Sequence, residues 1–190
     1  MKKTLSATLV IASLLWVAAC TIHTEDGKNG QSDKVDIKTP FGSLKVDENV
    51  DARDTGLPAY PGAQPYHEKD DGHSAANVNI SSEMFGVKVV AAEFTTPDSP
   101  SKVQDFYEKA LKSYGHVLEC KGSYDNNIKA NKGTDDDKPV TCDSNGTHPE
   151  EIEMKVGTEN HQHVVGLKPN GSGTRFALVY VNTRGKQSGS

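Results

Sequence analysis

The chain has 190 residues, with 21 basic and 26 acidic side chains and a formal net charge of −5. This balance argues against a nucleic-acid-binding protein, which would need a basic face, and the length fits one domain with a flexible arm. The hydrophobic content of 34% is low, and 17 glycines and 9 prolines predict many turns around a modest core.

Residues 1–19 have the pattern of an export leader. A basic start at Met1–Lys3 precedes an apolar stretch over residues 5–17, and Ala18 and Ala19 are small. The apolar stretch is shorter than the ~20 residues of a stable membrane span. The pattern therefore predicts a secretory signal peptide, with an uncleaved membrane helix as the alternative.

Val17-Ala18-Ala19-Cys20 resembles the lipobox of bacterial lipoproteins, over a stretch of about 20 residues. The resemblance implies cleavage before Cys20, a diacylglycerol thioether on its sulfur and acylation of the new amino terminus. These lipids are the only cofactor we expect, and the lipid bilayer is the expected partner, because two or more acyl chains anchor a protein stably. Thr21, which stands where some lipoproteins have Asp, favours the outer membrane over the inner. An ordinary signal peptide with an incidental cysteine is the alternative.

Cleavage before Cys20 would change the charge and the fluorescence of the protein. Lys2 and Lys3 would leave, so that the net charge moves from −5 to −5 − 2 = −7. Trp16, the single tryptophan of the chain, would leave with them.

Residues 20–34 are polar and aperiodic, and we predict a lipidated flexible tether with a reach of roughly 20 Å. Residues 35–46 alternate around a Pro-Phe-Gly turn and predict a hairpin, which either docks on the main domain or awaits a partner. The proline-rich stretch 57–66 should be extended, with Tyr60 and Tyr66 as contacts to the body. Together these two segments fill the region 35–74.

The main domain is predicted over residues 75–184. Its clearest element is a helix over about 99–115, with Ser99 as N-cap, Pro100 in the first turn and Gly115 as the stop. Strands are predicted before the helix and after it, at 116–120, 139–142, 151–156, 161–167 and 175–181. The predicted fold class is therefore α+β: a mostly antiparallel sheet with one principal helix packed on one face, plus the N-terminal hairpin. Residues 185–190 are predicted to be a disordered tail.

Two stretches of the chain resemble a pattern of uncharacterised secreted bacterial proteins. They are "LPAYPGA" and "FTTPDSPSKVQDFYEKALKSYG", and the resemblance spans about 60 residues. It supports the fold prediction and implies no activity.

Cys120 and Cys142 remain after cleavage, and export places them in an oxidising compartment, where such a pair forms a disulfide. Closing this polar loop should stabilise the fold by about 3 kcal/mol. A metal pair or a redox-active pair is the alternative, although the close C-x-x-C spacing of those sites is missing.

His161 and His163 form an H-x-H pair, whose side chains project from one face of a strand within reach of one metal ion. Zinc would need one or two further ligands, for which His116 and His148 are the candidates. The alternative is a pair of half-buried or edge histidines, so that no metal site is predicted and the two residues stay weak candidates.

Other motifs point to no reaction. Ser99 and Lys102 match the S-x-x-K motif of penicillin-recognising enzymes, but its supporting segments are missing from the sequence. The contiguous acids 135–137 lack the spacing of a calcium loop. We therefore predict no catalytic residue.

The function predicted from the sequence is a membrane-anchored, exported lipoprotein with a non-catalytic binding or envelope-structural role. It would face the periplasm or the cell exterior and bind an envelope protein partner through a sheet edge or the 35–46 hairpin. The alternatives are a periplasmic metal-binding protein that uses His161 and His163, and a hydrolase with an unrecognised site. Ligand and oligomeric state are left open.

Overall fold

A computed structural model of the chain describes residues 21–25, 34–47, 49–66, 75–82, 85–122, 138–142 and 148–185. These residues form strands and short helices in the following order: β1 (Thr21–Glu25), β2 (Lys34–Thr39), β3 (Gly42–Asp47), a 3₁₀ turn (Ala52–Thr55), β4 (Gln64–Pro65), β5 (Ala75–Ser81), β6 (Phe85–Thr96), α1 (Pro100–Leu111), a second 3₁₀ turn (Lys112–Tyr114), β7 (Leu118–Gly122), β8 (His148–Thr158), β9 (His161–Asn170) and β10 (Gly173–Gly185). None of the described helices is long and apolar enough to cross a membrane.

All ten strands belong to one sheet, in which every pairing is antiparallel. The order across the sheet is β1-β2-β3-β5-β6-β10-β9-β8-β7, and β4 lies beside β6. The last three long strands form the predicted meander, because β8 pairs with β9 and β9 with β10. Short turns join these neighbours, as antiparallel pairing allows.

The predicted α+β class is wrong. Over the residues that the structure describes, the chain is a mostly antiparallel, β-sandwich-like structure with a single short helix, rather than a balanced α+β domain. The predicted strands 151–156, 161–167 and 175–181 extend to the full lengths of β8, β9 and β10. The helix is shorter than its predicted span of 99–115, since it ends at Leu111 and gives way to the 3₁₀ turn.

The tether prediction for residues 20–34 is wrong where the structure describes them. Residues 21–25 form β1, which pairs along its whole length with β2, from Thr21 opposite Lys38 to Glu25 opposite Lys34. The backbone hydrogen bonds available along β2 explain why a polar stretch becomes a strand. Cys20, the leader 1–19 and the tail 186–190 lie outside the described residues.

The predicted hairpin over 35–46 is present as β2 and β3, and it docks on the main sheet. Leu44 of β3 lies opposite Ile80 of β5, and Ile80 lies opposite Val87 of β6. The sheet is therefore continuous from the hairpin into the region predicted as the main domain.

The start of α1 differs in detail from its prediction. Ser99 occupies the N-cap position and Pro100 begins the helix, but the Ser99 hydroxyl makes no capping hydrogen bond. Its Oγ instead lies 3.1 Å from Oγ of Ser101. Lys102 pairs with Asp98 at 3.1 Å, so the S-x-x-K residues are engaged in separate local contacts.

The main core lies between α1 and the sheet. We call this side of the sheet the first face. The connector through residues 52–60 completes the cover. The cluster consists of residues that are at most 9% exposed: Ala52, Leu57, Tyr60, Val103, Tyr107, Leu111, Met154, Val156, Val165, Leu167, Phe176 and Leu178. At its centre the Phe176 ring lies 5.5 Å from the rings of Phe94 and Tyr107, as measured between centroids.

The tyrosines of the proline-rich segment contact the body, as predicted. Tyr60 is 9% exposed, and its hydroxyl donates a hydrogen bond to Asp98 Oδ2 at 2.8 Å. The Tyr66 ring lies 3.7 Å beneath the guanidinium of Arg175. The segment is therefore fixed at two points by its aromatic side chains.

The opposite side of the sheet, which we call the second face, carries its own apolar cluster. Val164, Val179 and Val181 are buried there. An ion pair between Glu153 and Lys155, with a nitrogen–oxygen distance of 3.1 Å, is also buried on the neighbouring strand β8.

The predicted disulfide between Cys120 and Cys142 is confirmed, with Cα atoms 5.4 Å apart. The strand predicted at 139–142 is reduced to one bridge, between Pro139 and Thr158. The amide of Glu159 also donates to the Lys138 carbonyl at 2.8 Å. The disulfide thus ties this segment to β7.

Candidate functional site

The part of the first face that α1 does not cover carries a continuous row of polar residues. The helix contacts β8, β9 and β10. Lys45 on β3 and Asn79 on β5, which the helix does not cover, are exposed. Register places one polar residue from each of seven strands in this row, which we call the polar ladder: Asp36, Lys45, Asn79, Lys88, Asn182, His161 and Thr158. With strands ~4.8 Å apart, the ladder is about 29 Å long.

A shallow cavity of about 130 Å³ lies at the middle of the polar ladder. Its lining consists of Asn79, Ile80, Gly86, Val87, Lys88 and Asn182. Gly86 is two residues from Lys88 and so belongs to the same face, where its missing side chain leaves room. Two amides and an ammonium group converge on this space, which makes it a site for hydrogen-bond acceptors.

Tyr180 connects the ladder to the core. Its hydroxyl accepts a hydrogen bond from Nδ2 of Asn182 at 3.0 Å and lies 3.2 Å from Nε2 of His161. Nζ of Lys88 lies 5.6 Å from the centre of the Tyr180 ring, a cation–π distance. Tyr180 therefore orders three residues of the polar ladder.

His163 is a buried member of the same strand face. It is 6% exposed, and its Nδ1 lies 2.9 Å from the carbonyl oxygen of Thr55. A carbonyl can only accept, so Nδ1 carries the proton. Desolvation lowers the pKa of His163, and the Thr55 carbonyl opposes this only in part. The Tyr114 ring closes the site, with its centre 3.9 Å from the imidazole centre. His163 is thus held as a neutral imidazole.

The structure separates the histidines that the sequence proposed as metal ligands. His161 and His163 lie on one face, as predicted, but their rings make the two different hydrogen bonds described above. His148 is about 26 Å from His163 along β8, because His163 lies opposite Val156, eight residues further on. His116 precedes β7 and joins neither ring. Within the described ranges, no three His, Cys, Asp or Glu side chains form a group that could hold a metal ion.

The two edges of the sheet are β1 and β7, and the hairpin is not an edge. Both β2 and β3 have partners on each side, whereas β1 pairs with β2 alone and β7 with β8 alone in the part of the chain that the structure describes. An unpaired edge can accept a strand from another chain. The sequence predicted docking of a partner at a sheet edge or at the hairpin 35–46, and this docking stays a prediction.

The polar ladder was missed by sequence reasoning, since it is assembled by cross-strand register from seven separate strands. Only the strand-face position of His161 could be inferred from its spacing to His163. No family model matches the chain, and no curated protein or solved structure matches it. Its function is therefore argued from the geometry of its own residues.

Proposed function

We propose that the chain is an exported lipoprotein, anchored through lipid on Cys20, with a non-catalytic binding role at the cell envelope. The short apolar leader and the small residues before Cys20 support export and lipidation. The disulfide between Cys120 and Cys142 supports the same location, because such bonds persist in oxidising compartments. The residue after the cysteine favours the outer membrane.

The binding surface in this proposal is the polar ladder, and the cavity around Lys88 is the observation that carries it. The Lys88 ammonium lies between Asn79 and Asn182 in the register of the sheet, and all three line the same space. An ammonium flanked by two amides suits a carboxylate, which accepts from all three. The ligand we propose is a carboxylate-bearing envelope molecule that lies along the ladder.

The contacts of Ser99, the serine of the S-x-x-K motif, support a non-catalytic role. Ser99 Oγ lies against Ser101, and the Lys102 ammonium is paired with Asp98. A serine nucleophile needs a base within hydrogen-bond reach, and the residue offered for that task in the S-x-x-K motif is engaged elsewhere.

The anchor is tested by mass spectrometry of the protein from its own host. We expect the mature chain to begin at Cys20 with a diacylglycerol and an acyl chain attached, and to sediment with membranes. The matched variant Cys20→Ser should lose both properties. A wild-type mass that shows a bare sulfur with the leader still attached would contradict the proposal.

The binding surface is tested by crosslinking in cells with a photoreactive lysine analogue, which keeps the ammonium group, at position 88. The matched control carries the same amino acid at Lys109, which is exposed on α1. We expect adducts from position 88 that are missing at position 109 and that weaken when Asn182 is changed to Leu. Identical adducts from both positions would show that the polar ladder is not the binding surface.

A further inference from the structure

One end of the sheet lies next to the predicted lipid attachment site. Thr21, the first residue of β1, directly follows Cys20, and consecutive Cα atoms are about 3.8 Å apart. Thr21 lies opposite Lys38, and the same cross-strand row continues through Ser43, Ser81 and Gly86. We call the end of the sheet at and beyond this row the anchor end.

Two exposed phenylalanines lie at the anchor end. Phe41 occupies the turn between β2 and β3 and is 85% exposed, and Phe85 begins β6 and is 50% exposed. The turn at the opposite end, between β9 and β10, is polar, with Gly171 and Ser172 at its tip. Exposed apolar side chains mark a surface that meets an apolar partner when they lie together rather than singly.

The phenylalanines are held in place by the turns that carry them. Thr39 Oγ1 donates to the Gly42 carbonyl at 3.0 Å and accepts from the Phe41 amide at 3.2 Å. Ser82 closes the other turn, since its amide donates to the Phe85 carbonyl at 2.8 Å and its Oγ accepts from the Phe85 amide at 3.1 Å. These hydrogen bonds fix the backbone of Phe41 and Phe85, so that the two residues have less entropy to lose on binding.

The two turns also lie against each other. A Cβ added at Gly42 would lie 2.4 Å from the Ser81 carbonyl oxygen, and the φ of Gly42 is +155°. Only glycine allows this close approach, which joins the Phe41 turn to the end of β5. The anchor end is therefore one surface rather than two independent loops.

We propose that the anchor end rests on the bilayer, with Phe41 and Phe85 inserted into its interfacial region. This inference depends on the proposed lipid on Cys20. Because β1 starts at the next residue, a lipid there would leave almost no slack between the membrane and the sheet. Aromatic side chains gain free energy in the interface between headgroups and acyl chains. The lipid would supply affinity, and the two phenylalanines would fix the orientation of the sheet.

The test uses tryptophan as a depth reporter, because a chain cleaved before Cys20 contains none. The variants are Phe41→Trp, Phe85→Trp and, as the matched control, Ser172→Trp at the opposite end. The register of β10 with β6 sets these ends eleven residues apart, or about 36 Å. Lipidated protein is reconstituted in phosphatidylcholine–phosphatidylglycerol vesicles, with and without bromine on the acyl chains.

We expect bromine to lower the fluorescence of the Phe41→Trp and Phe85→Trp variants by about twofold and to leave Ser172→Trp unchanged, since bromine quenches only tryptophan inserted among the acyl chains. Quenching at the anchor end no stronger than at Ser172 would overturn the inference. If the mass of the same protein shows the lipid, such weak quenching contradicts the insertion of the phenylalanines but not the lipid anchor on Cys20. A mass that shows a bare Cys20 sulfur would instead overturn the proposed function, and the inference with it.

Discussion

The two halves of the sheet differ in what covers their first face. Over β8, β9 and β10, α1 and the connector bury that face, and Val165 and Phe176 are fully inaccessible to solvent. Over β2 and β3 the same face carries ion pairs, such as Lys34 with Asp47 at 3.2 Å. The apolar side chains of these two strands, such as Leu44, are half-buried on the second face.

The half of the sheet under α1 therefore supplies most of the folding free energy, and the N-terminal half supplies most of the polar surface. Burial of apolar area is the main source of folding free energy, and it is concentrated under α1. Exposed ion pairs such as Lys34–Asp47 contribute about 0–1 kcal/mol each, so the N-terminal half adds little beyond its backbone pairing. The same half carries most of the polar ladder and the anchor end, where substitution can alter binding without unfolding the core.

Truncating one apolar side chain in each half should give the largest difference in the free energy of unfolding. Phe176→Ala removes the ring at the centre of the aromatic cluster and should lower the free energy of unfolding by about 3–5 kcal/mol. Leu44→Ala removes a half-buried side chain and should cost about 1 kcal/mol, since full burial of a leucine contributes only about 1.5–3 kcal/mol. Urea unfolding of the disulfide-bonded protein measures both. Equal losses would show that the two halves contribute equally to the core.

The disulfide lies in the covered half, and its removal should have the next largest effect. Replacing Cys120 and Cys142 by Ala should lower the free energy of unfolding by about 3 kcal/mol, because the bond restricts the loop between them in the unfolded chain. The matched control is reduction of the wild-type protein, which should give the same loss. The pairing of β2 with β3 should be unaffected in both, as measured by amide exchange at Val46. Faster exchange there would show that the pairing of these two strands depends on the disulfide in the covered half.

Tyr107 carries a polar group inside the core of the covered half. Its side chain is fully buried, and its hydroxyl has no hydrogen-bond partner of normal geometry among the described residues. Desolvation raises the pKa of this phenol far above its ordinary value. An unsatisfied buried hydroxyl is unfavourable, so Tyr107→Phe should raise the free energy of unfolding by about 1 kcal/mol. Thermal unfolding measures the change, and a loss of stability would reveal a partner for the hydroxyl.

Local signals predicted the elements better than the class. The spacing of Val103, Tyr107 and Leu111 fixes the buried side of the helix, and the alternation of Ile152, Met154 and Val156 fixes the inward side of β8, as the core confirms. The class was misjudged because β8, β9 and β10 extend beyond their predicted bounds, the helix ends earlier than predicted, and residues 21–25 add a strand without an apolar pattern. The pairing of residues 21–25 depends on the neighbouring strand β2, and such an interaction is not encoded in five residues of which Ile22 alone is apolar.

The candidate site was less predictable than the fold. Lys88 and Asn182 are 94 positions apart in the chain and become neighbours through the register of β6 with β10. Register depends on the whole set of strand pairs, so a single sequence does not reveal the ladder. The H-x-H pair was visible, but its spacing could not show that Thr55 and Tyr180 already hold the two rings.

His163 lies where the covered half meets the polar ladder, two residues from His161 on β9. Desolvation lowers its pKa in the folded protein, so the unfolded chain binds a proton more readily as the pH falls. The stability from His163 is therefore fully present above its unfolded pKa of ~6.5 and is lost as the pH falls toward the folded pKa. His163→Gln should flatten the fall in melting temperature between pH 7 and pH 5. His161→Gln, at an exposed position on the same face, should flatten it less, because repulsion from His161 is the smallest of the causes that shift the His163 pKa. An unchanged slope in His163→Gln would mean that protonation of this ring does not limit the stability of the junction.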